Sequence, residues 1–136
     1  MRVASVSAIA QSRLSGVAVR VTEPTGAVLF RRGEPAFGIF MVSKGSISLR
    51  LEGEGGKAIW DRTVTTASIV GLPATLAGGR YSLTAVTLEE CELGFVNRQA
   101  LLQLVESDSG LGLDLMRALG DEVLQVRELL LSTPAA

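Results

Sequence analysis

Apolar and polar residues alternate along much of the chain between residues 17 and 96, as they do in half-buried strands. Valines alternate with Ala, Arg and Thr over residues 17–22, and Ile47, Leu49 and Leu51 alternate with Ser and Arg. Turns rich in glycine or proline interrupt the alternation at intervals of roughly 8–12 residues. The pattern predicts a mainly β domain with about eight short strands, arranged as a sandwich or jelly roll.

The apolar period changes to that of a helix at both ends of the chain. Residues 1–16 predict a short N-terminal helical or irregular segment, and Asn97 is a predicted N-cap for a short helix. A longer helix is predicted from about residue 111 to residue 131. A length of 136 residues suits one domain. We divide it into residues 1–16, a β region at 17–96, C-terminal helices at 97–131 and a tail at 132–136.

The long predicted helix has a seam of apolar residues at alternating spacings of three and four, which is typical of helix pairing. The seam consists of Met116, Leu119, Val123, Val126 and Leu130. Other leucines lie off this seam, and a helix with two apolar faces usually packs against two partners. We expect one partner to be the β region and the other to be the same helix of a second subunit. A monomer whose helix lies broadly on its own sheet is the alternative.

Composition and charge argue against several classes of protein. A formal net charge of −1 disfavours a free-standing DNA-binding domain. The chain has no histidine and one cysteine, which excludes a zinc site or a Cys–His dyad, and we expect neither a metal site nor an enzyme. No apolar run approaches the ~20 residues of a membrane span, and residues 1–10 make a poor signal peptide. We therefore expect a cytoplasmic protein that does not bind membranes.

Residues 70–85 run from the end of one predicted strand through a glycine-containing loop and enter the next predicted strand at Tyr81. Such a loop with a short helical turn exposes several backbone N–H groups at one point, and converging N–H dipoles attract anions. Arg80 follows Gly78 and Gly79, where it can add a charge-assisted contact to a phosphate. The alternative is that the paired glycines form only a turn before the next strand.

The order of these parts resembles the cyclic nucleotide-binding domain of the bacterial catabolite-activator superfamily, over roughly residues 15–131. Residues 24–35 resemble its early strand pair, and residues 39–49 resemble its next hairpin with the central glycine. Residues 69–71 and 81–85 bracket the region of its phosphate-binding cassette. The resemblance implies an eight-stranded antiparallel β-roll followed by a short and a long helix.

The resemblance also implies roles for residues of the cassette. In ligand-competent members it begins with glycine and an acid that binds the ribose hydroxyl, and it ends with arginine and a small polar residue that hold the phosphate. Here Gly71 and Ser82 match, but Leu72 occupies the acid position and Tyr81 the arginine position. Arg80 lies one place early, and on a strand one place turns a side chain to the opposite face. Each lost charged hydrogen bond costs ~1.5–3 kcal/mol.

The family also reads the base with polar residues on its long helix, which the resemblance places at Arg127 and Glu128; solvated surface charges are the alternative. The candidate ligand site therefore comprises Gly71, Leu72, Pro73, Ala74, Arg80, Tyr81, Ser82, Arg127 and Glu128. The family's transcription factors continue into a helix-turn-helix domain, whereas only residues 132–136 follow the long helix here. We expect no nucleic-acid binding by this chain, which either acts alone or is a piece of a longer regulator.

Two functions remain open at this level. The first is a regulatory domain, homodimeric and able to engage an effector protein, with a degenerate site that binds cAMP or cGMP weakly or not at all. The second is a ligand-competent sensor that binds a cyclic nucleotide, or another small anion, through a non-standard cassette. No cofactor other than a cyclic nucleotide is implied.

Overall fold

The computed structural model describes residues 8–132, with side chains for residues 8–120. Two four-stranded antiparallel sheets face each other, and helices cover the outer side of one of them. The strands are β1 (Val19–Glu23), β2 (Val28–Phe30), β3 (Gly38–Lys44), β4 (Ile47–Glu52), β5 (Ala58–Val64), β6 (Ile69–Val70), β7 (Thr84–Thr87) and β8 (Cys91–Asn97). The helices are α1 (Ala8–Val17), α2 (Leu72–Ala77), α3 (Arg98–Ser107) and α4 (Ser109–Ser132), with a 3-10 turn at Glu54–Gly56.

The first sheet has the order β1-β8-β3-β6 and the second has the order β2-β7-β4-β5. Strand alternation sends neighbouring residues of the first sheet to opposite sides. On β3, Phe40 and Val42 face the second sheet, whereas Ile39 faces the helices. The prediction of an eight-stranded antiparallel roll followed by a short and a long helix is confirmed.

An inner core fills the space between the two sheets and is rich in aromatic rings. Its buried members are Phe30, Phe40, Val42, Ile47, Leu49, Val64, Val70, Tyr81, Ala85, Cys91 and Leu93. Both sheets contribute to this core, so it holds the roll together by removing apolar surface from water.

An outer core lies between the first sheet and the helices, and its side chains are aliphatic. Its buried members are Ala10, Leu14, Ile39, Ile69, Leu72, Val96, Leu101, Leu111, Leu115 and Ala118. On α4, residues 111, 115 and 118 follow the helical period, so one stripe of this helix packs against the first sheet and the other helices of the same chain.

Side-chain caps fix the junction between the C-terminal helices. Asn97 accepts a hydrogen bond from the N–H of Ala100 at 2.8 Å, as predicted for an N-cap. Asp108 leaves the helical conformation, and its Oδ1 accepts from the N–H of Leu111 at 3.1 Å. The same carboxylate pairs with Arg13 of α1. This ion pair connects α1 to the junction between α3 and α4.

One strand begins later than its residues predict. We expect a strand from Tyr81, but β7 begins at Thr84. The reason is that the backbone of Tyr81 pairs with the loop after β2: its N–H donates to the carbonyl of Glu34 at 3.0 Å, and its carbonyl accepts from Gly33 at 2.8 Å. The cassette loop is therefore joined to the β2–β3 loop before it enters the second sheet.

Candidate functional site

Gly71 begins the loop that the resemblance assigns to the cassette. It caps the N-terminus of α2 in the left-handed conformation, with a φ of 87°. A Cβ at this position would lie 3.0 Å from Cε1 of Tyr81 and 3.1 Å from the carbonyl oxygen of Gly38. Both the backbone conformation and the available space therefore require glycine.

Tyr81 lies inside the roll, where it is 2% exposed. Its hydroxyl donates to the carbonyl of Gly38 at 2.7 Å and accepts from the N–H groups of Phe37 and Gly38 at 3.1 and 3.2 Å. Its ring stacks on Phe30 with centroids 3.9 Å apart. The buried hydroxyl is thus fully bonded to the backbone at the start of β3, and the ring is held from one side by β2.

All four phenylalanines and the single tyrosine of the chain form one connected cluster, of which Phe30–Tyr81 is the closest pair. Phe37 meets Tyr81 edge to face at 5.5 Å, and Phe40 lies 5.0 Å from Phe95. Phe37 is 42% exposed at the edge of the cluster. Strand alternation signals that Phe40 is buried, but no sequence pattern indicates that rings from β2, β3, β8 and the cassette meet.

Leu72, Pro73 and Ala74, at the start of α2, differ in their exposure. Leu72 is fully buried in the outer core, against the helices. Pro73 is exposed, and Ala74 is half-buried against the inner core. Leu72, the residue predicted to occupy the acid position, is therefore packed among the helices.

The N-terminus of α2 offers few backbone donors. Pro73 has no N–H group, and the N–H of Thr75 already donates to Gly71 at 3.1 Å. The Thr75 hydroxyl lies 2.7 Å from the carbonyl oxygen of Gly71 and 2.9 Å from that of Gly38. Among the first three helical positions, only Leu72 and Ala74 have N–H groups. Fewer backbone donors are therefore available to an anion than the glycine-containing sequence predicts.

Arg80 and Ser82, which flank Tyr81, are both exposed. The Arg80 guanidinium donates to the carbonyl of Gly33 at 2.7 Å, in the loop after β2. Arg80 therefore lies at the surface, while its neighbour Tyr81 is buried.

Arg98, which sequence reasoning missed, connects α3 to the cassette helix. Its Nε donates to the carbonyl of Thr75 at 2.9 Å, and a Cβ on Gly78 would lie 2.7 Å from one of its terminal nitrogens. A cation at the C-terminal end of a helix satisfies its last carbonyls. The sequence carries no signal for this contact, because Arg98 reads only as the first residue of α3.

The long helix holds the remaining candidate residues. Met116 is 68% exposed, whereas Leu119 is half-buried against the outer core. The other candidates lie on α4 beyond the described side chains, and they are Val123, Val126, Arg127, Glu128 and Leu130.

Neither a metal site nor a reactive thiol is found within residues 8–120. No group of three or more candidate metal-binding side chains occurs among them. Burial raises the pKa of the Cys91 thiol, and its Sγ lies 3.3 Å from the carbonyl oxygen of Ser46. A thiol with a raised pKa is protonated at neutral pH and is a poor nucleophile. Among the helices of the described chain, none combines the length and apolarity needed to cross a bilayer.

The chain belongs to the cyclic nucleotide-binding domain family, whose sequence model matches residues 20–108. This match confirms the family indicated by the order of strands, glycines and helices. Members of this fold are typically regulatory or sensory domains. No curated protein matches the chain by sequence.

Solved structures share the fold. The Thermus thermophilus catabolite activator protein is 23% identical with a TM-score of 0.75, and the match covers 92% of this chain and 58% of that one. A Thermotoga maritima transcriptional regulator is 16% identical with a TM-score of 0.77, covering 91% and 98%. The N-terminal domain of a Streptomyces coelicolor A3(2) transcriptional regulator is 18% identical with a TM-score of 0.72, covering 98% and 92%. At these identities the likeness establishes the fold.

Proposed function

We propose that this chain is a non-catalytic regulatory domain whose cassette binds cAMP and cGMP weakly or not at all. The observation that carries the proposal is the placement of Tyr81. Its ring stacks on Phe30, and its hydroxyl is bonded to the backbone of Phe37 and Gly38. In the family's pattern this position carries the arginine that neutralises the cyclic phosphate.

The surroundings of Tyr81 oppose its replacement by a ligand. Moving the ring aside would break three hydrogen bonds of a buried hydroxyl and expose the stacked face of Phe30. Leu72 offers no acceptor for a ribose hydroxyl and packs in the outer core. Each missing charged contact costs ~1.5–3 kcal/mol, and about 1.4 kcal/mol is tenfold in affinity. Two losses therefore lower the affinity by about a hundredfold or more.

We also propose that α4 pairs two copies of the chain. Leu111, Leu115 and Ala118 face the outer core, whereas Leu113 and Met116 are 49% and 68% exposed. Apolar residues on a second stripe of a helix favour a second packing partner. A homodimer of this kind gives the domain a means of transmitting a signal to an effector protein.

A ligand-competent sensor is the second candidate function, and one observation favours it. Gly71 keeps the left-handed conformation at the start of α2, and Arg80 and Ser82 are exposed at the end of the same loop. For this function, the Arg80 guanidinium would release the carbonyl of Gly33 and bind the phosphate of a ligand at the surface of the loop.

Calorimetry and thermal unfolding with millimolar cAMP and cGMP separate the two functions. We expect neither heat of binding nor a rise in Tm, while a ligand-competent family member measured in parallel gives both. Saturable binding that Arg80→Ala abolishes would establish the second function instead. Arg80→Ala is a suitable probe because the side chain is exposed and its loss leaves both cores intact.

Light scattering tests the dimer. We expect Val123→Glu to yield a monomer, because a charge in an apolar helix seam is costly to bury. Gln103→Glu is the matched control, since it adds the same charge at an exposed position on α3. A Val123→Glu protein with the unchanged mass of the wild type would show that the seam is not an interface.

A further inference from the structure

An open groove lies on the outer face of the first sheet, separate from the cassette, and has a volume of about 430 Å³. Its lining includes Gln11 and Ser15 of α1 and the turn at 66–68. Met41 and Ala18 cover its floor at Gly94, where a Cβ would lie 3.2 Å from the Met41 methyl and 3.3 Å from the Ala18 methyl. Volumes of about 300–1,000 Å³ are typical of sites for small molecules.

Two opposite charges stand in this groove without pairing to each other. Arg20 on β1 lies across from Gly94, and Glu92 on β8 lies across from Thr22, so the two side chains are diagonal neighbours on one face. Both are exposed, and within residues 8–120 neither forms an ion pair, even though Lys44 is opposite Glu92 in the register of β3 and β8. Diagonal positions on adjacent strands lie within reach of long side chains. The groove thus presents a separated positive and negative charge.

The turn at 66–68, which lines the groove, contains a strained residue. Ala67 has a φ of 71° and is the one non-glycine residue with a positive φ among the described residues. Its N–H donates to the carbonyl of Val42, and the N–H of Val42 donates to Ser68, both at 3.0 Å. Left-handed conformations at non-glycine residues concentrate at functional sites, where the surrounding structure maintains them. This strain is independent of the charges and occurs at the same groove.

We propose that the groove binds a small zwitterion about the size of a dipeptide, with its carboxylate on Arg20 and its ammonium group on Glu92. Arginine binds a carboxylate through two parallel N–H donors, and a carboxylate side chain accepts from an ammonium group. The hydroxyl groups of Ser43 and Ser68 supply further polar contacts, and Met41 covers the aliphatic part of the ligand. Neither a simple anion nor a simple cation uses both charges.

Titration of ¹⁵N-labelled protein with L-alanyl-L-alanine tests this site by NMR. We expect saturable shifts confined to the amides around the groove, including Ala67 and Gly94. Acetate and methylammonium serve as single-charge probes, and each should bind about tenfold more weakly or worse, because it gains only one of the two charged contacts.

Charge-neutral variants complete the test. Arg20→Gln and Glu92→Gln should each weaken dipeptide binding by about tenfold or more. Arg117→Gln and Glu106→Gln are the matched controls, because both residues are exposed on the C-terminal helices, and they should leave binding unchanged. The proposal is overturned if the dipeptide gives no saturable shifts at millimolar concentration, if both groove variants bind as the wild type does, or if acetate binds as tightly as the dipeptide.

Discussion

The two cores of this domain differ in the kind of side chain that fills them. The inner core holds a stack of aromatic rings, while the outer core consists of leucine, isoleucine, valine and alanine. Strand β3 supplies both, since Ile39 faces the helices and Phe40 faces the second sheet. Strands of the first sheet thus send alternate residues to the two cores, whereas the buried members from the second sheet belong only to the inner core and those from the helices only to the outer core.

The aromatic inner core holds the two sheets together, whereas the aliphatic outer core positions the helices. Aromatic rings are large and rigid, and pairs of rings prefer defined stacked or edge-to-face orientations, which restrict their movement. In the inner core they surround Tyr81, the residue that we propose takes the place of the family's phosphate-binding arginine. The aliphatic outer core packs α1, α3 and α4 on the first sheet and contains Leu72 of the cassette. Substitutions in each core can show whether these two roles are separate.

The largest expected effect is that of Phe30→Ala in the inner core. Phe30 is 3% exposed and carries the stacked ring of Tyr81, so the variant should lose about 3–5 kcal/mol of unfolding free energy. Chemical denaturation measures the loss. Trp60→Ala is the control, because Trp60 lies outside the ring cluster and is partly exposed. An equal loss of unfolding free energy in both variants would show that a ring in the cluster stabilises the fold no more than a ring outside it.

The next effect concerns the outer core. Leu115→Ala should lower the unfolding free energy by about 2–5 kcal/mol, because Leu115 is 1% exposed on α4. Leu113→Ala is matched to it on the same helix but is 49% exposed, and in the isolated subunit it should cost much less. Amide hydrogen exchange should show faster exchange in α1 and α4 of Leu115→Ala, while the strands of the second sheet stay protected. Uniformly faster exchange would mean that the two cores unfold as one unit.

A smaller effect is expected for Tyr81→Phe, which keeps the ring and removes the hydroxyl. The variant leaves the N–H groups of Phe37 and Gly38 without this acceptor, at a cost of about 1–3 kcal/mol. Ser82→Ala removes a neighbouring exposed hydroxyl and should have little effect. If Tyr81→Phe were as stable as the wild type, the hydroxyl would not fix the start of β3, and the cassette would be freer to rearrange than we propose.

The smallest effect is a pH dependence that comes from Cys91 in the inner core. Burial raises the pKa of this thiol above its ordinary value of 9.0, so above that pH the folded protein keeps a proton that the unfolded chain has lost. The free energy of unfolding should therefore fall as the pH rises past 9.0, with no contribution from this group at lower pH. Cys91→Ala isolates the effect, because every other titrating group is retained. Parallel pH profiles of the two proteins would contradict the prediction.

The sequence by itself determined the order of the elements. Periods of two and of 3.6 residues are set by residues close together in the chain, and they located the strands and the C-terminal helices. Asn97 signals the start of α3 for the same reason, since a cap acts on the turn that follows it. The assignment of Gly71 and Tyr81 to cassette positions rests on their order in the chain and stays a prediction.

Only the tertiary structure decided which way the cassette side chains face and what they contact. The backbone of Tyr81 pairs with Gly33 and Glu34, and its ring meets Phe30 and Phe37, all more than 40 residues away in the chain. Such contacts form only when several strands are packed together, so no local pattern encodes them. The burial of Leu72 among the helices and the contact of Arg98 with the cassette helix arise in the same way. Arg20 and Glu92 likewise line one groove only because β1 and β8 are neighbours in the sheet.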